Sequence, residues 1–228
     1  LILNTEAQAP VIAIDGPSGA GKGTLSRLVA QHLGYHLLDS GALYRLTALA
    51  AHKANTPIND EHAVAGVARH LQADFDASGP DTRILLAGED VSVAIRTEAV
   101  SMSASQIAAY PAVRAALLDR QREFRQAPGL VADGRDMGTA VFPDASVKIF
   151  LTASPEARAE RRYLQLLEAG ETPDKRALAD DIRERDKRDS ERSVSPLKPA
   201  DDAYILDSTD LTIEGVLNAI LERVAQTH

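Results

Sequence analysis

Apolar runs along the chain are short and are separated by glycine-rich or charged turns. Five of them read as strands: VIAID (11–15), YHLLD (35–39), the run opening LVADGRDMG at Leu130, VKIFLTA (147–153) and AYILDS (203–208). VIAID is β-branched or apolar up to Asp15, which suits a strand buried on both faces of a parallel sheet. Between the strands the apolar period lengthens to that of helices. One is expected from about Gly21, with Leu25, Leu28, Val29 and Leu33 on one face and Gly34 as its stop. Others are expected from Gly41 to about Ala54, from Ser154–Pro155 to Gly170, through the charged stretch before Arg192, and from Leu211 to Ala225.

The pattern changes between Asn55 and Ala127. A turn-rich break precedes a helix at about 60–72. ADFDA (73–77), TRILLA (82–87) and VSVAI (91–95) follow, separated by SGPD and GED. These runs predict a small antiparallel sheet with tight turns. Two helices complete the segment, TEAVSMSASQIAA (97–109) and the Pro111-initiated PAVRAALLDRQREFRQ (111–126). The reading is one α/β core, 10–54 with 128–228, interrupted by an inserted lobe at 55–127. A chain of 228 residues has room for both.

Composition narrows the chemistry. Hydrophobic residues make up 44 %, with no Trp, so the core is expected to be aliphatic. A net charge of −8 opposes nucleic acid or an anionic membrane as partner, and any anionic ligand needs local positive charge. The absence of cysteine excludes disulfides and thiol chemistry. His32, His36, His52, His62, His70 and His228 have no compact metal-binding spacing. LILNTEAQAP is too short and interrupted for a secretion signal, and no apolar run nears membrane-spanning length. A soluble, cytoplasmic protein is expected.

The strongest chemical signal follows the first strand. Gly16, Pro17, Ser18, Gly19, Ala20, Gly21, Lys22, Gly23 and Thr24 match G-x-x-x-x-G-K between a strand and a helix. There the glycines let successive N–H groups converge on an anion, and Lys22 adds a mobile positive charge. The usual pattern has Ser or Thr next to hold magnesium, whereas this chain has Gly23 and a hydroxyl one place later at Thr24. Asp39, Ser40 and Arg45 follow the second strand, where open α/β sheets bind ligands. Ser40 reads equally as a helix cap, and Arg45 as a solvated arginine. Asp133, Gly134, Arg135 and Asp136 end the third strand of the core. Asp133 is a candidate to orient magnesium or its waters, or a turn carboxylate; Arg135 is a ligand contact or the partner of Asp136. In DDIRERDKRDSER, most charges suit a solvated helix, but Arg185, Asp189 and Arg192 share a face that suits a phosphorylated sugar.

GPSGAGKGT, LLDSGALYR, ADGRDMGTAVFPDA and ERDKRDSER together resemble the bacterial cytidylate kinases, from about Val11 to the end of the chain. The resemblance implies a P-loop core with a parallel five-stranded sheet flanked by helices, an inserted lobe for the nucleoside monophosphate, and a short lid at about 158–192. It also implies transfer of the γ-phosphoryl of ATP to CMP or dCMP, with magnesium, by a monomer. Arg45, Arg135 and Arg192 match the arginines that hold the acceptor phosphate; Ser40, Arg185 and Asp189 match residues around the sugar. Ser105, Arg114 and Asp136 match the readers of cytosine. The donor side is the loop from Gly16 to Thr24, with Arg158 and Arg162 as lid ligands and Arg161 as their rival. Lys22, Arg135, Arg185 and Arg192 would carry the reaction without a general base, since the acceptor phosphate is already ionised. Two other classes compete with this reading. A small P-loop kinase for AMP, UMP or a non-nucleotide acceptor lacks a reason for the cytosine set. A GTPase-like switch requires an N-K-x-D sequence, and none occurs.

Overall fold

The computed structural model describes residues 8–76 and 83–227. The expected SGPD turn, the leading segment 1–7 and His228 lie outside the described residues. Two compact units divide the chain, Leu1–Leu38 with Glu123–His228 and Asp39–Arg122.

The first unit is a parallel α/β sheet. Its strands are β1 (Val11–Asp15), β2 (His36–Asp39), β6 (Leu130–Gly134), β7 (Val147–Thr152) and β8 (Tyr204–Asp207), in the order β2-β6-β1-β7-β8. β1 takes the centre because every one of its side chains is buried. It pairs in parallel with β6, Val11 opposite Leu130 through Asp15 opposite Gly134, and with β7 on its other side. Ile12, Ile14, Val131, Ile149 and Leu151 form an aliphatic core with Val29 of α1 (Lys22–Leu33) and Ile220 of α8 (Ile213–Ala225). Each such side chain contributes about 1.5–3 kcal/mol by leaving water. Parallel strands bring their carboxyl ends to one edge, so Asp15, Gly134, Thr152 and Asp207 open on the same side. Helices α6 (Pro155–Glu168) and α7 (Lys175–Ser190) pack on one another after β7.

The second unit holds α2 (Ser40–Lys53), α3 (Glu61–Arg69), α4 (Glu98–Ile107) and α5 (Pro111–Arg122) with the antiparallel sheet β3 (Ala73–Asp76), β4 (Arg83–Leu86) and β5 (Glu89–Asp90). By contacts it starts at Asp39 and so includes α2, which the sequence pattern groups with the core. The small sheet also differs in detail. VSVAI was expected as its third strand; instead β5 is Glu89–Asp90 and Ala94–Arg96 is a 3-10 turn. Ser92 is the reason. Its N–H and hydroxyl both donate to Asp90 Oδ1, at 3.0 and 2.7 Å, and its hydroxyl accepts from the Ile84 N–H at 2.9 Å. A side chain thus completes the ladder and turns the backbone away.

Candidate active site

The phosphate loop leaves β1 through Gly16, where backbone approach decides the residue. A Cβ there would lie 2.0 Å from the Leu151 carbonyl oxygen. The turn ends at Gly21, the N-cap of α1, which supplies no side-chain cap bond. The first amides of the helix are therefore left for an anion. Lys22 is buried, and its Nζ donates to the Pro17 carbonyl at 2.9 Å. Burial, then the nearby Arg135 charge, push the Lys22 pKa down to about 7, against the pull of Asp133 and Asp15. Anionic phosphates beside it would restore its charge.

Asp133 fronts the same helix turn. One carboxylate oxygen lies 3.6 Å from where a Cβ on Gly23 would stand, so this acid faces the position usually given to a magnesium-binding hydroxyl. Thr24, one residue on, is exposed. Among the described residues no three His, Cys, Asp or Glu gather to hold a metal by themselves. The oxygen donors that are present suit a hard cation carried in with its own phosphate ligands.

Past β6 the chain runs through Arg135 and Asp136 into a wide turn, Met137–Val141. Asp15 anchors that turn by accepting from the N–H groups of Met137 and Gly138, both at 2.8 Å. The sequence reading gave Asp15 no role beyond ending a strand. Its pKa is pushed up to about 7, chiefly by burial, although the two amides pull it down.

Arg135 pairs with Asp189, Nε to Oδ2 at 3.2 Å, and not with Asp136 as one reading allowed. Arg192 grips the other oxygen of the same carboxylate through Nη2. Asp189 is 1 % exposed. A buried acid holding two guanidiniums leaves a net positive pair with fixed orientation. Arg185 lies one turn before Asp189 on α7 and also acts on the Lys22 charge. The sequence grouping of Arg185, Asp189 and Arg192 thus falls at the sheet edge that carries the loop, although Arg192 sits just beyond the end of α7.

The arginines after β7 are arranged differently from one another. Arg158 is buried and bound within the protein, Arg161 donates to the Ser208 carbonyl and hydroxyl, and Arg162 is exposed. Beside the loop, Pro17, Thr152, Ser154, Arg158, Asp186 and Thr209 line a cavity of about 420 Å³. Thr152 and Thr209 were not singled out from the sequence. The available signal was that both sit at strand ends on the ligand edge.

In the second unit, Asp39 caps α2 by accepting from the Ala42 N–H at 2.9 Å and pairs with Arg45 at 3.1 Å. Ser40, the alternative cap, is instead a buried first residue of the helix. Ser105 is buried on α4, and its Oγ has no hydrogen-bond partner among the described residues. Arg114 donates to the Ala108 carbonyl and stacks 5.8 Å from the centre of the Tyr44 ring. Tyr44 lies inside the LLDSGALYR motif, but nothing in the spacing marks it as that partner.

A phosphate loop on the central strand, with a buried lysine and arginines at the same sheet edge, defines a P-loop phosphotransferase. Comparison with known proteins narrows the class. The cytidylate kinase family profile matches residues 12–226, and the chain belongs to that family. A curated cytidylate kinase of Pseudomonas paraeruginosa is 59 % identical over 222 residues, 96 % of this chain and 97 % of that protein. Those of Stutzerimonas stutzeri and Pseudomonas putida are 59 % and 57 % identical, covering 95 % and 96 % of this chain and 95 % and 97 % of their own. Among solved structures, a gluconokinase from Sinorhizobium meliloti 1021 aligns over 95 % of this chain and 92 % of its own at 15 % identity. Its TM-score of 0.47 is too low to bear on function. No helix among the described residues is long and apolar enough to cross a membrane.

Proposed function

We propose that the chain transfers the γ-phosphoryl of ATP to CMP or dCMP, giving CDP or dCDP and ADP. The observation that carries this reading is the buried Asp189 carboxylate holding Arg135 and Arg192 on the sheet edge that bears Lys22 and the phosphate loop. A family match over nearly the whole chain supports the choice of acceptor.

The loop amides and Lys22 take the ATP phosphates; Arg45, Arg135 and Arg192 take the acceptor phosphate. Ser40, Arg185 and Asp189 serve the sugar. The attacking oxygen is already ionised at neutral pH, so no general base is needed. The barrier to be overcome is repulsion between two anions, and arginines suit that task because they stay charged and fork onto phosphate oxygens. Catalysis is then positioning and charge neutralisation. Magnesium would be held mainly by the nucleotide phosphates and water, with Asp133 and Thr24 as the protein's candidate oxygen donors. Bound there, it would neutralise charge on the phosphates.

Ser105, Arg114 and Asp136 read the base. A carboxylate accepts from the exocyclic amine of cytosine and meets a carbonyl in uracil. The unpartnered Ser105 Oγ supports a ligand in that place. These nucleotides are cytoplasmic metabolites, which argues for the same compartment. The test is a coupled ADP-release assay with ATP and magnesium, offering CMP, dCMP, UMP, AMP or no acceptor. Fast turnover with CMP and dCMP alone is expected. Comparable rates with AMP or UMP would leave a P-loop kinase with its acceptor misassigned.

A further inference from the structure

We propose that Arg158 and Asp186 form a strut that sets the phosphate loop against α7. On this proposal Arg158 is a positioning residue and not a ligand of the ATP phosphates. It rests on the phosphate-transfer reading above and adds how the donor loop is linked to the helix bearing Arg185 and Asp189.

Arg158 stands in the first turn of α6 and is 2 % exposed. Each nitrogen of its guanidinium donates within the protein. Nε gives to the Ala153 carbonyl at 2.9 Å. Nη1 gives to the Ser18 carbonyl and to Asp186 Oδ1, both at 2.9 Å, and Nη2 gives to Asp186 Oδ2. The aliphatic part packs on the loop as well, since a Cβ on Gly19 would lie 3.4 Å from the Arg158 Cβ. To reach a phosphate, this side chain would have to give up the bidentate fork on Asp186 and its bonds to the Ala153 and Ser18 carbonyls together, with its own guanidinium buried. A lid arginine that captures ATP from solvent is better matched by exposed Arg162.

Two physical consequences follow from the contacts. In a trans peptide the C=O of one residue and the N–H of the next point in opposite directions. Holding the Ser18 carbonyl on Arg158 therefore fixes the direction of the Gly19 N–H, one of the loop donors. The second consequence passes along α7. Asp186 directly follows Arg185 and precedes Asp189 by less than one helical turn, so a bidentate fork on Asp186 ties the loop to the segment that positions Arg135 and Arg192. An anion that orders the loop would thereby order the acceptor arginines, and binding of each substrate would favour the other.

The experiment titrates the full chain with a non-hydrolysable ATP analogue by calorimetry, alone and with saturating CMP. Asp186→Asn, Arg158→Lys and their combination are compared with the unmodified chain, and thermal melts confirm that each variant is folded. Asp186→Asn and Arg158→Lys are each expected to weaken analogue binding by about tenfold, with the double variant no worse than either. The strengthening of analogue binding by CMP, about tenfold in the unmodified chain, is expected to fall to near one in each variant. Asp186→Glu, which keeps the carboxylate, is expected to restore part of both effects. It also replaces Asp186→Asn as the probe, graded against Arg158→Lys, should the amide fail to fold. Residues that only stabilise the fold would lower the melting temperature and leave the affinity of folded molecules unchanged.

Normal binding and coupling in Asp186→Asn would overturn the strut. So would losses that add in the double variant, because Arg158 would then act on the phosphates by itself. The analogue titration needs no acceptor, so a wrong choice of acceptor leaves it readable. A chain that phosphorylates CMP while Asp186→Asn binds and couples normally would refute the strut alone.

Discussion

On the proposed reaction, Lys22 and Arg192 meet the same physical demand from opposite ends. Each puts a positive charge where negative charge collects, and each is held by the protein in advance. Lys22 rests on the Pro17 carbonyl and Arg192 on Asp189. Losing either is expected to raise the barrier by about 3–4 kcal/mol, by analogy with removal of an oxyanion donor. Lys22→Ala and Arg192→Ala should therefore lower kcat by about a hundredfold or more with the fold intact. Steady-state rates and circular dichroism check this, and unchanged turnover would remove the residue from the mechanism. On the proposed reading, Asp136 sets specificity. With its carboxylate present, CMP should outrun UMP in kcat/KM by at least about a hundredfold, because a site built to accept from an amine is left unpaired without one. Asp136→Ala should collapse that ratio, and a ratio left unaltered would dismiss the assignment. The glycine loop was legible at this scale because its constraint is local. The partners of Arg135 and Arg158 were not, because Asp189 and Asp186 lie far along the chain from them.

At the scale of elements, apolar period placed the strands and helices but misread one segment. VSVAI alternates as a strand does, yet the side chains of Asp90 and Ser92 complete the ladder before it and the chain turns. Alternation reports which faces are apolar; it does not report whether a neighbouring strand supplies backbone partners. Caps were legible only in part: Gly34 ends α1 as its stop signal implies, but Asp39 and not Ser40 caps α2, and the Thr212 cap was not singled out. Thr212 accepts from the Gly215 N–H at 3.1 Å and starts α8, whose Val216, Ile220 and Val224 are buried. Thr212→Ala is expected to destabilise the protein by about 1 kcal/mol. For a chain of this size that lowers Tm by about 2–4 °C. Turnover should be unaffected, since α8 carries none of the site residues. A larger fall in Tm would mean that the cap also holds the segment before it.

For the molecule as a whole, the buried pair Asp15 and Lys22 ties stability to pH. Asp15 is raised from 3.8 to about 7 by burial, so the folded chain holds an extra proton between those values. That contribution is fully present below the unfolded value and is lost as pH rises through about 7. Lys22, lowered from 10.5 to about 7, acts in the opposite sense above neutrality, where the unfolded chain binds the extra proton and stability recovers. Unfolding followed by circular dichroism should show the unmodified chain losing stability from pH 4 to 7 relative to Asp15→Asn; parallel curves would refute the assignment. The sequence alone determined the parallel core, the phosphate loop and the family, because these rest on local patterns: buried β-branched runs, glycines at a sharp turn, and motifs of adjacent residues. Tertiary structure decided which carboxylate each arginine holds, the anchoring of the 137–138 turn by Asp15, and the cavity beside the loop. Those depend on which distant segments meet and on how much water their meeting removes, and charge and polarity along a chain encode neither.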